Sequence, residues 1–127
     1  FESHQAAFEF YRTKRAFSGV ADKELMDYVL AAHAPSENGV DLRYSGAWEA
    51  CVYRSPPNLW KCFDRIHKPI HILGGEHSYV IVPNVAERLK QLTNVKFESI
   101  GAGHLMPMER PQETAAFVTE RIFRCEI

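Results

Sequence analysis

The histidine at position 104 has the sequence context of a side chain that could transfer protons. It ends the segment Gly101-Ala102-Gly103-His104, which directly follows the apolar-rich residues 95–100. Glycine lets the backbone turn sharply, so His104 can project from the end of a strand towards a neighbouring element. Histidine changes its charge near neutral pH, which suits it to take up and return a proton during a reaction. A loop histidine that lies beside turn-forming glycines and has no chemical role would give the same local pattern.

A second arrangement of histidines resembles a metal site only at first sight. His67 and His71 are four residues apart, a spacing that would place two ligands on one face of a helix. Pro69 lies between them and is incompatible with a helix interior. His71 and His77 lie on either side of Gly74-Gly75, but no third ligand is apparent. We therefore expect no metal site, and no motif for a cofactor is present.

The segments around His104 predict a strand–helix–strand–helix unit. Residues 70–73 are a short apolar run that ends in Gly74-Gly75, typical of a buried strand. Residues 83–92 predict a helix and residues 95–100 a second strand. Pro111 opens a final helix, whose apolar face is formed by Ala115, Val118 and Ile122. This order favours parallel pairing of the strands, and ligands bind at the carboxyl edge of such sheets.

The first half of the chain predicts short helices and no long strand. Helices are expected over residues 2–15, from Asp22 to a stop at Pro35, over 47–54, and after Pro57; a brief alternation predicts an extended piece at 40–44. Four aromatic side chains here could line a substrate pocket, and Trp48 is the candidate among them for substrate binding. In a small helical region such rings more often form the core. The four are Tyr44, Trp48, Tyr53 and Trp60.

Composition excludes several classes of function. The 127 residues carry 15 basic and 16 acidic side chains, and this balance does not favour binding to nucleic acid or to an anionic membrane. No apolar run is long enough to span a bilayer, and the first residues lack the apolar core of a signal peptide. The three cysteines include no close pair, so we expect buried or incidental thiols, a reducing compartment and a cytoplasmic location.

Taken in order, the motifs between residues 69 and 122 resemble the end of the α/β-hydrolase fold. Gly75-Glu76-His77-Ser78 follows the first strand, the Gly-x-Gly-His loop follows the second, and Met108-Glu109-Arg110-Pro111 opens the last helix. The resemblance implies an α/β chain that is the C-terminal fragment of this fold. Residues 68–127 would form the parallel strand–helix–strand–helix unit, and residues 1–67 a helical cap. His4 and His33 are expected at the surface or in this cap.

The resemblance also assigns roles to residues. His104 would be the general base of a nucleophile–His–acid triad. Members of the family usually have Asp where this chain has Ser78, so the candidate acid is Glu76, two positions earlier, or a residue upstream of Phe1. A serine cannot hold a histidinium by charge.

Three further residues near these motifs receive roles. Val80 and Leu105 follow the acid turn and the histidine, and in the family such neighbours often border the substrate pocket. Both are apolar here, which favours an apolar small-molecule substrate. Glu109 is expected to brace the loop of His104 against the last helix.

The chain contains no nucleophile of the expected kind. None of its seven serines has glycine two positions before it, so the Gly-x-Ser-x-Gly turn is absent, and no Asp or Cys stands in such a turn. The resemblance therefore implies a serine hydrolase or esterase whose upstream part lies outside this chain, and the chain alone should be inactive. An Asp nucleophile would instead indicate an epoxide hydrolase or dehalogenase, and some members are acyltransferases.

Two other interpretations remain open. Ser78 in the position of the acid favours a non-catalytic binding or regulatory protein of the same fold. The chain could also be a small α/β domain for protein interaction, although two strands make a poor sheet. By the family topology the strand that begins at Ile70 lacks a neighbour, so we expect it to pair with the missing N-terminal half or with a second copy.

Overall fold

The computed structural model describes residues 1–56, 58–63 and 65–123. Packing divides the chain into two compact units, Phe1–Leu59 (unit 1) and Trp60–Ile127 (unit 2). This division concerns packing, and the predicted boundary between a cap and the C-terminal part at residues 67 and 68 stays a prediction. The helix start predicted at Pro57 and the third thiol, Cys125, lie outside the described residues.

The described part of unit 1 contains three α-helices that begin at polar capping positions or at acidic first turns. Helix α1 spans His4–Arg12 and is capped by the Ser3 hydroxyl, and Arg15–Phe17 form a short 3₁₀ turn. Helix α2 spans Asp22–Ala32, with Asp22 and Glu24 in its first turn, where negative charge is favourable. Helix α3 spans Gly46–Arg54, close to the predicted 47–54. These helices confirm the predicted segments within a few residues at each end.

A β-hairpin lies between α2 and α3; its two strands are short, as the prediction of no long strand requires, but the first of them was not predicted. Strand β1 (His33–Ser36) pairs antiparallel with β2 (Gly39–Leu42), and Ser36 is opposite Gly39. Gly39 has a φ of 136°, a conformation that side chains other than hydrogen rarely allow. The predicted extended piece is the second strand, but Pro35 lies inside the first strand and does not merely end a helix.

His33 belongs to the core of unit 1, which excludes the surface and leaves the other expected place, within the region predicted as a cap. Its side chain is 1% exposed, and Nδ1 lies 2.9 Å from the carbonyl oxygen of Val29. The imidazole satisfies one polar atom in this way, which makes its burial tolerable. The apolar side chains buried in this unit are Ala7, Val20, Leu25, Val29 and Val40.

The aromatic residues around α3 are not core residues, contrary to prediction. Tyr44, Trp48 and Tyr53 are 72%, 60% and 77% exposed. Trp60 differs, because it is partly buried in unit 2, where the Arg88 guanidinium lies 3.9 Å from its ring centroid. The rings that do pack together in unit 1 come from α1, α2 and their neighbours: Phe1, Phe10, Tyr11, Phe17 and Tyr28.

Unit 2 is built on two parallel strands, which confirms the predicted fold class. After the short helix α4 (Trp60–Phe63), strand β3 (Ile70–Gly75) pairs with β4 (Val95–Ile100) in the register Ile70 to Val95 through Gly75 to Ile100. Helix α5 (Pro83–Lys90) connects them and packs against β4. Among the described residues β3 pairs with β4 only. The partner expected at its other edge stays a prediction.

Two helices follow β4 within the described residues. Helix α6 (Met106–Glu109) is a single turn that the sequence did not predict, and α7 (Pro111–Phe123) is the predicted final helix. The predicted apolar face of α7 is exposed, with Val118 and Ile122 at 47% and 59%. Cys51 and Cys62 are exposed free thiols. None of the described helices combines the length and apolar character that a membrane span needs.

Candidate active site

The turns after the two parallel strands are joined to each other through their backbones. Because β3 and β4 are parallel, both end at the same edge of the sheet. The Glu76 amide donates to the Ile100 carbonyl at 2.9 Å, and the His77 amide donates to the Ala102 carbonyl at 3.0 Å. The turn that carries Ser78 and the loop that carries His104 are therefore fixed against each other at this carboxyl edge.

A glycine at position 75 allows this close approach. A Cβ atom at Gly75 would collide with the carbonyl oxygens of Ala102 and Gly103. Gly101, in contrast, has no atom within 4 Å of the place that a Cβ would take. The two glycines thus have different roles: Gly75 is needed for space, whereas space does not require Gly101.

Glu109 holds the histidine loop from the opposite side. The Gly103 amide donates a hydrogen bond to Oε2 of Glu109, at 2.6 Å, in a partly buried position. A bond between an amide and a carboxylate is stronger than one between two neutral groups. This contact confirms the predicted brace, and it reaches the loop from the last residue of α6.

His104 projects from this loop and meets the serine of the neighbouring turn. Its Nδ1 lies 3.2 Å from the Oγ of Ser78, and its ring centroid lies 5.4 Å from that of Tyr79. The His104 side chain is otherwise exposed. Parallel pairing therefore brings together two polar side chains that are separated by 26 positions in sequence.

A count of donors and acceptors indicates which way the proton points between Ser78 and His104. The Ser78 Oγ accepts hydrogen bonds from the amides of Val80 and Ile81, at 3.2 and 3.4 Å. A hydroxyl has two lone pairs and one proton. With both lone pairs engaged, the proton is left for Nδ1 of His104, so the neutral imidazole carries its own proton on Nε2. A general base that works through Nε2 needs the opposite tautomer.

Glu76 lies in the same turn but makes no recorded contact with the histidine. The carboxylate of Glu76 is exposed. This group forms no hydrogen bond or ion pair within the part of the chain that the structure describes. Ser78, and not Glu76, is the residue beside Nδ1 of His104. The role of Glu76 as the triad acid stays a prediction.

The three predicted substrate-binding residues are distributed over both units. Val80 is 51% exposed in the turn after β3, and Leu105 is partly buried at the start of α6. Trp48 belongs to unit 1. Their contact with a substrate stays a prediction. In the described ranges, no three His, Cys, Asp or Glu side chains are grouped as a metal site would require.

Sequence reasoning missed the contact that Ser78 makes in this site, and it missed Tyr79 altogether. Ser78 was identified only as the occupant of the position of the acid, and its bond to His104 follows from that place once the strands are known to be parallel. Tyr79 was not identified at all, because it belongs to no motif and its contact with His104 depends on the path of the turn.

Comparison with known proteins gives structural neighbours but no sequence relatives. No family model matches the chain, and no curated protein matches it. A solved E-2-(acetamidomethylene)succinate hydrolase superposes with a TM-score of 0.83 at 20% identity, over 96% of this chain and 46% of that one. An esterase of M. tuberculosis gives 0.74 at 20% identity, over 96% and 42%. A thioesterase domain from the curacin biosynthetic pathway gives 0.69 at 16% identity, over 94% and 43%.

These neighbours agree in the part of the fold that they share with the chain. Each match covers nearly all of this chain, whereas the chain spans less than half the length of each solved structure. At such low identities the likeness concerns the path of the backbone and not the side chains.

Proposed function

Because the chain has part of the α/β-hydrolase fold, we propose that it is the C-terminal part of a hydrolase that acts on an ester or a related carbonyl compound. The neighbours are a hydrolase, an esterase and a thioesterase domain, which supports this reaction class. The nucleophile would be supplied by a segment upstream of this chain, which contains no Gly-x-Ser-x-Gly turn.

The observation that carries the proposal is the pairing of His104 with Ser78 at the carboxyl edge of the sheet. The Nδ1 atom has a hydrogen-bonding neighbour at 3.2 Å, so the opposite nitrogen, Nε2, is free to face a reacting group. His104 would take the proton of the nucleophile and return it to the leaving group. The exposed Val80 and the adjacent Leu105 support an apolar substrate.

The tautomer of His104 sets a condition for this chemistry. To accept a proton at Nε2, the imidazole must carry its own proton on Nδ1 and donate a hydrogen bond from that atom. The Ser78 hydroxyl can accept a hydrogen bond from this N–H if it rotates its own proton away and gives up the longer of its two amide contacts, the one from Ile81 at 3.4 Å. A carboxylate would hold the resulting histidinium more strongly than this hydroxyl. We propose that Glu76, or an acid outside the chain, supplies this carboxylate.

The proposal is tested on the longest open reading frame that contains this sequence. Reading the coding DNA upstream of Phe1 shows whether a turn with Ser, Asp or Cys is encoded. Expressed in full, the protein should hydrolyse short acyl esters, and His104→Ala should lower kcat by about a hundredfold or more. His67→Ala, an exposed histidine before β3, is the control and should leave kcat unchanged. Equal activity of the His104→Ala variant and the parent would contradict the proposal.

The chain alone gives a second check. Without a nucleophile it should neither turn over esters nor react with a fluorophosphonate that labels activated serines. Ester turnover by the purified chain that His104→Ala abolishes would show that the chain contains a nucleophile that we have not identified.

A non-catalytic binding protein is the second candidate, and one observation favours it. Ser78 is neutral, and by the count of lone pairs it makes Nε2 of His104 a hydrogen-bond donor. A donor at this place suits recognition of a carbonyl or an anion better than removal of a proton. An upstream turn that lacks Ser, Asp and Cys would favour this function over catalysis.

The free edge of β3 supports a proposal about partners. Exposed strand edges recruit further strands, and β3 has one neighbour among the described residues. We expect this edge to pair with the upstream half of the fold or, in the isolated chain, with a second copy. Light scattering tests this expectation, and a monodisperse monomer would contradict self-association.

A further inference from the structure

Unit 1 contains a groove that takes no part in the proton transfers proposed for His104, although its lining includes Trp48, a predicted substrate-binding residue. Its volume is about 530 Å³, within the range of small-molecule sites. Four aromatic rings line it, and a carboxylate joins them: Tyr28, Tyr44, Trp48, Tyr53 and Glu49. Three of the rings are more than half exposed and lie together in this groove, and contiguous exposed apolar surface marks binding sites.

Helix α3 supplies one wall of the groove. The Ser45 hydroxyl accepts a hydrogen bond from the Trp48 amide at 3.2 Å and caps the helix, which begins at Gly46. Residues four apart lie one above the other on a helix, so the pairs 48 and 52, and 49 and 53, share one face. This face carries Trp48, Val52 and Tyr53 together with the Glu49 carboxylate, and all four line the groove.

Helix α2 and the end of the hairpin supply the remaining walls. Tyr28, Ala31 and Ala32 stand at positions that share one side of α2, and the two alanines leave space beside the tyrosine. The Tyr28 ring is anchored by Tyr11 and Phe17, at centroid distances of 5.7 and 5.2 Å. Leu42 and Tyr44 complete the lining from β2 and the residues that follow it.

The carboxylate in the groove has no cation of its own. Glu49 forms no ion pair in the described part of the chain. Arg43 is close by, since its Nε donates to the Ala31 carbonyl at 2.8 Å, but it is not among the residues that line the groove. Tyr28 and Glu49 line the same groove. Burial raises the pKa of Tyr28 above its ordinary value, and the negative charge of Glu49 raises it further.

We propose that this groove is a binding site for an organic cation of the quaternary ammonium class. The faces of aromatic rings are negative, and they attract cations that shed water readily. A trimethylammonium group has no N–H to satisfy, so it can occupy an apolar groove, and the unpaired Glu49 carboxylate complements its charge. A purely apolar ligand would leave this carboxylate unused. The site lies within unit 1, and the inference does not depend on His104.

The experiment compares choline with 3,3-dimethylbutan-1-ol, its neutral carbon analogue, on the purified chain. The chain has two tryptophans, so Trp60→Phe leaves Trp48 as the only indole that reports by fluorescence. Choline should quench or shift this emission, and its N-methyl proton resonances should move upfield. Choline should bind with a dissociation constant in roughly the millimolar range, and about tenfold more tightly than the neutral analogue.

Variants separate the contributions of charge and rings. Glu49→Gln should weaken choline binding about threefold or more and leave binding of the neutral analogue unchanged. Trp48→Leu, assayed by the N-methyl shift, should weaken both. Glu37→Gln removes an exposed carboxylate in the turn of the hairpin, outside the groove, and should change neither. Trp48 and Glu49 are exposed, so circular dichroism should show that their variants keep the fold.

Three outcomes would overturn the proposal. The first is no binding of choline, and the second is equal binding of choline and its neutral analogue. The third is concentration-dependent self-association that Trp48→Leu abolishes, which would identify the groove as an interface between copies of the chain.

Discussion

The two units hold their candidate sites in opposite ways. At the carboxyl edge of unit 2, main-chain bonds between the turns after β3 and β4 fix the position of His104, and a Cβ at Gly75 has no room. In unit 1 the groove is formed by side chains on the faces of α2 and α3, and Tyr44, Trp48 and Tyr53 are largely exposed. The site in unit 2 requires a residue without a side chain at position 75, whereas the groove in unit 1 is formed by exposed side chains.

This difference determines how each site should respond to substitution. A change that pushes apart two backbone segments disturbs every residue that they carry, because close-packed interiors do not yield gradually. A change of an exposed ring removes that ring and little else. We therefore expect substitutions at the edge of unit 2 to alter stability first, and those in the groove to alter binding or titration while stability stays nearly constant.

The largest effect is expected from Gly75→Val. The new side chain collides with the carbonyl oxygens of Ala102 and Gly103, so the hydrogen bond from His77 to Ala102 is lost or strained. We expect the free energy of unfolding to fall by roughly 3 kcal/mol, measured by urea denaturation. Gly101→Ala is the matched control, since no atom lies within 4 Å of its Cβ position, and it should change stability by less than about 0.5 kcal/mol. Equal losses of stability in both variants would show that the lack of space at Gly75 does not distinguish the two glycines.

Glu109→Ala should have the next largest effect. The Gly103 amide would lose its carboxylate acceptor in a partly buried place, and an unpaired amide there costs about 1–3 kcal/mol. Glu113→Ala is the control, because its contact with Arg110 at 3.5 Å is an exposed ion pair worth less than about 1 kcal/mol. Chemical denaturation of both variants measures the difference. If Glu113→Ala cost as much as Glu109→Ala, the brace would not be specific.

The same contrast explains which features the sequence could predict. Strand β4, the helix from Pro83 and the helix from Pro111 have periodic apolar patterns bounded by glycine and proline, and these local signals gave their places. The motif order identified His104 and the brace from Glu109. The contact of Gly75 with Gly103 could not be predicted, because it depends on the register of two strands that lie 25 residues apart in the chain.

Unit 1 was predicted less well because its local signals conflict. Pro35 is a strong stop signal for a helix, and it concealed a strand that pairs through the neighbouring residues. The sequence left His33 open between the surface and the cap, and its burial depends on a hydrogen bond with the Val29 carbonyl that the sequence does not reveal. The aromatic residues of α3 were expected to fill a core, whereas the core is made by α1, α2 and the hairpin, and the rings are left exposed.

A smaller effect on stability, with a clear spectroscopic sign, is expected at Ser78. In the parent chain, ¹⁵N NMR should show the neutral His104 imidazole with its proton mainly on Nε2, because the Ser78 hydroxyl donates to Nδ1. In Ser78→Asp the carboxylate can only accept, so the proton should move to Nδ1. The free energy of unfolding should change by less than about 1 kcal/mol, since His104 is exposed. His67 should keep its resonances, and a parent His104 protonated on Nδ1 would refute the count of lone pairs.

The smallest effect is expected from the titration of Tyr28, which borders the groove, and of Tyr11, whose ring packs against that of Tyr28. Burial raises the pKa of Tyr28 above 10.0 and Glu49 raises it further, and the pKa of Tyr11 is raised by burial, by Tyr28 and by Glu49. A raised tyrosine pKa means that the folded chain keeps its proton longer than the unfolded chain. The contribution of these two tyrosines to the free energy of unfolding should thus stay level below about pH 10 and should fall as the pH rises through their pKa values in the folded chain.

Glu49→Gln sharpens this last prediction. Removing the charge should lower the pH at which Tyr28 ionises, followed by tyrosinate absorbance, and should reduce the loss of stability above pH 10, followed by urea denaturation at several pH values. Burial remains in the variant and is the larger cause, so the shift should shrink and not vanish. Glu37→Gln, which removes a carboxylate outside the groove, should leave the titration unchanged. If both variants titrate like the parent, Glu49 does not act on the tyrosine, and the groove lacks the charge on which its proposed preference for cations depends.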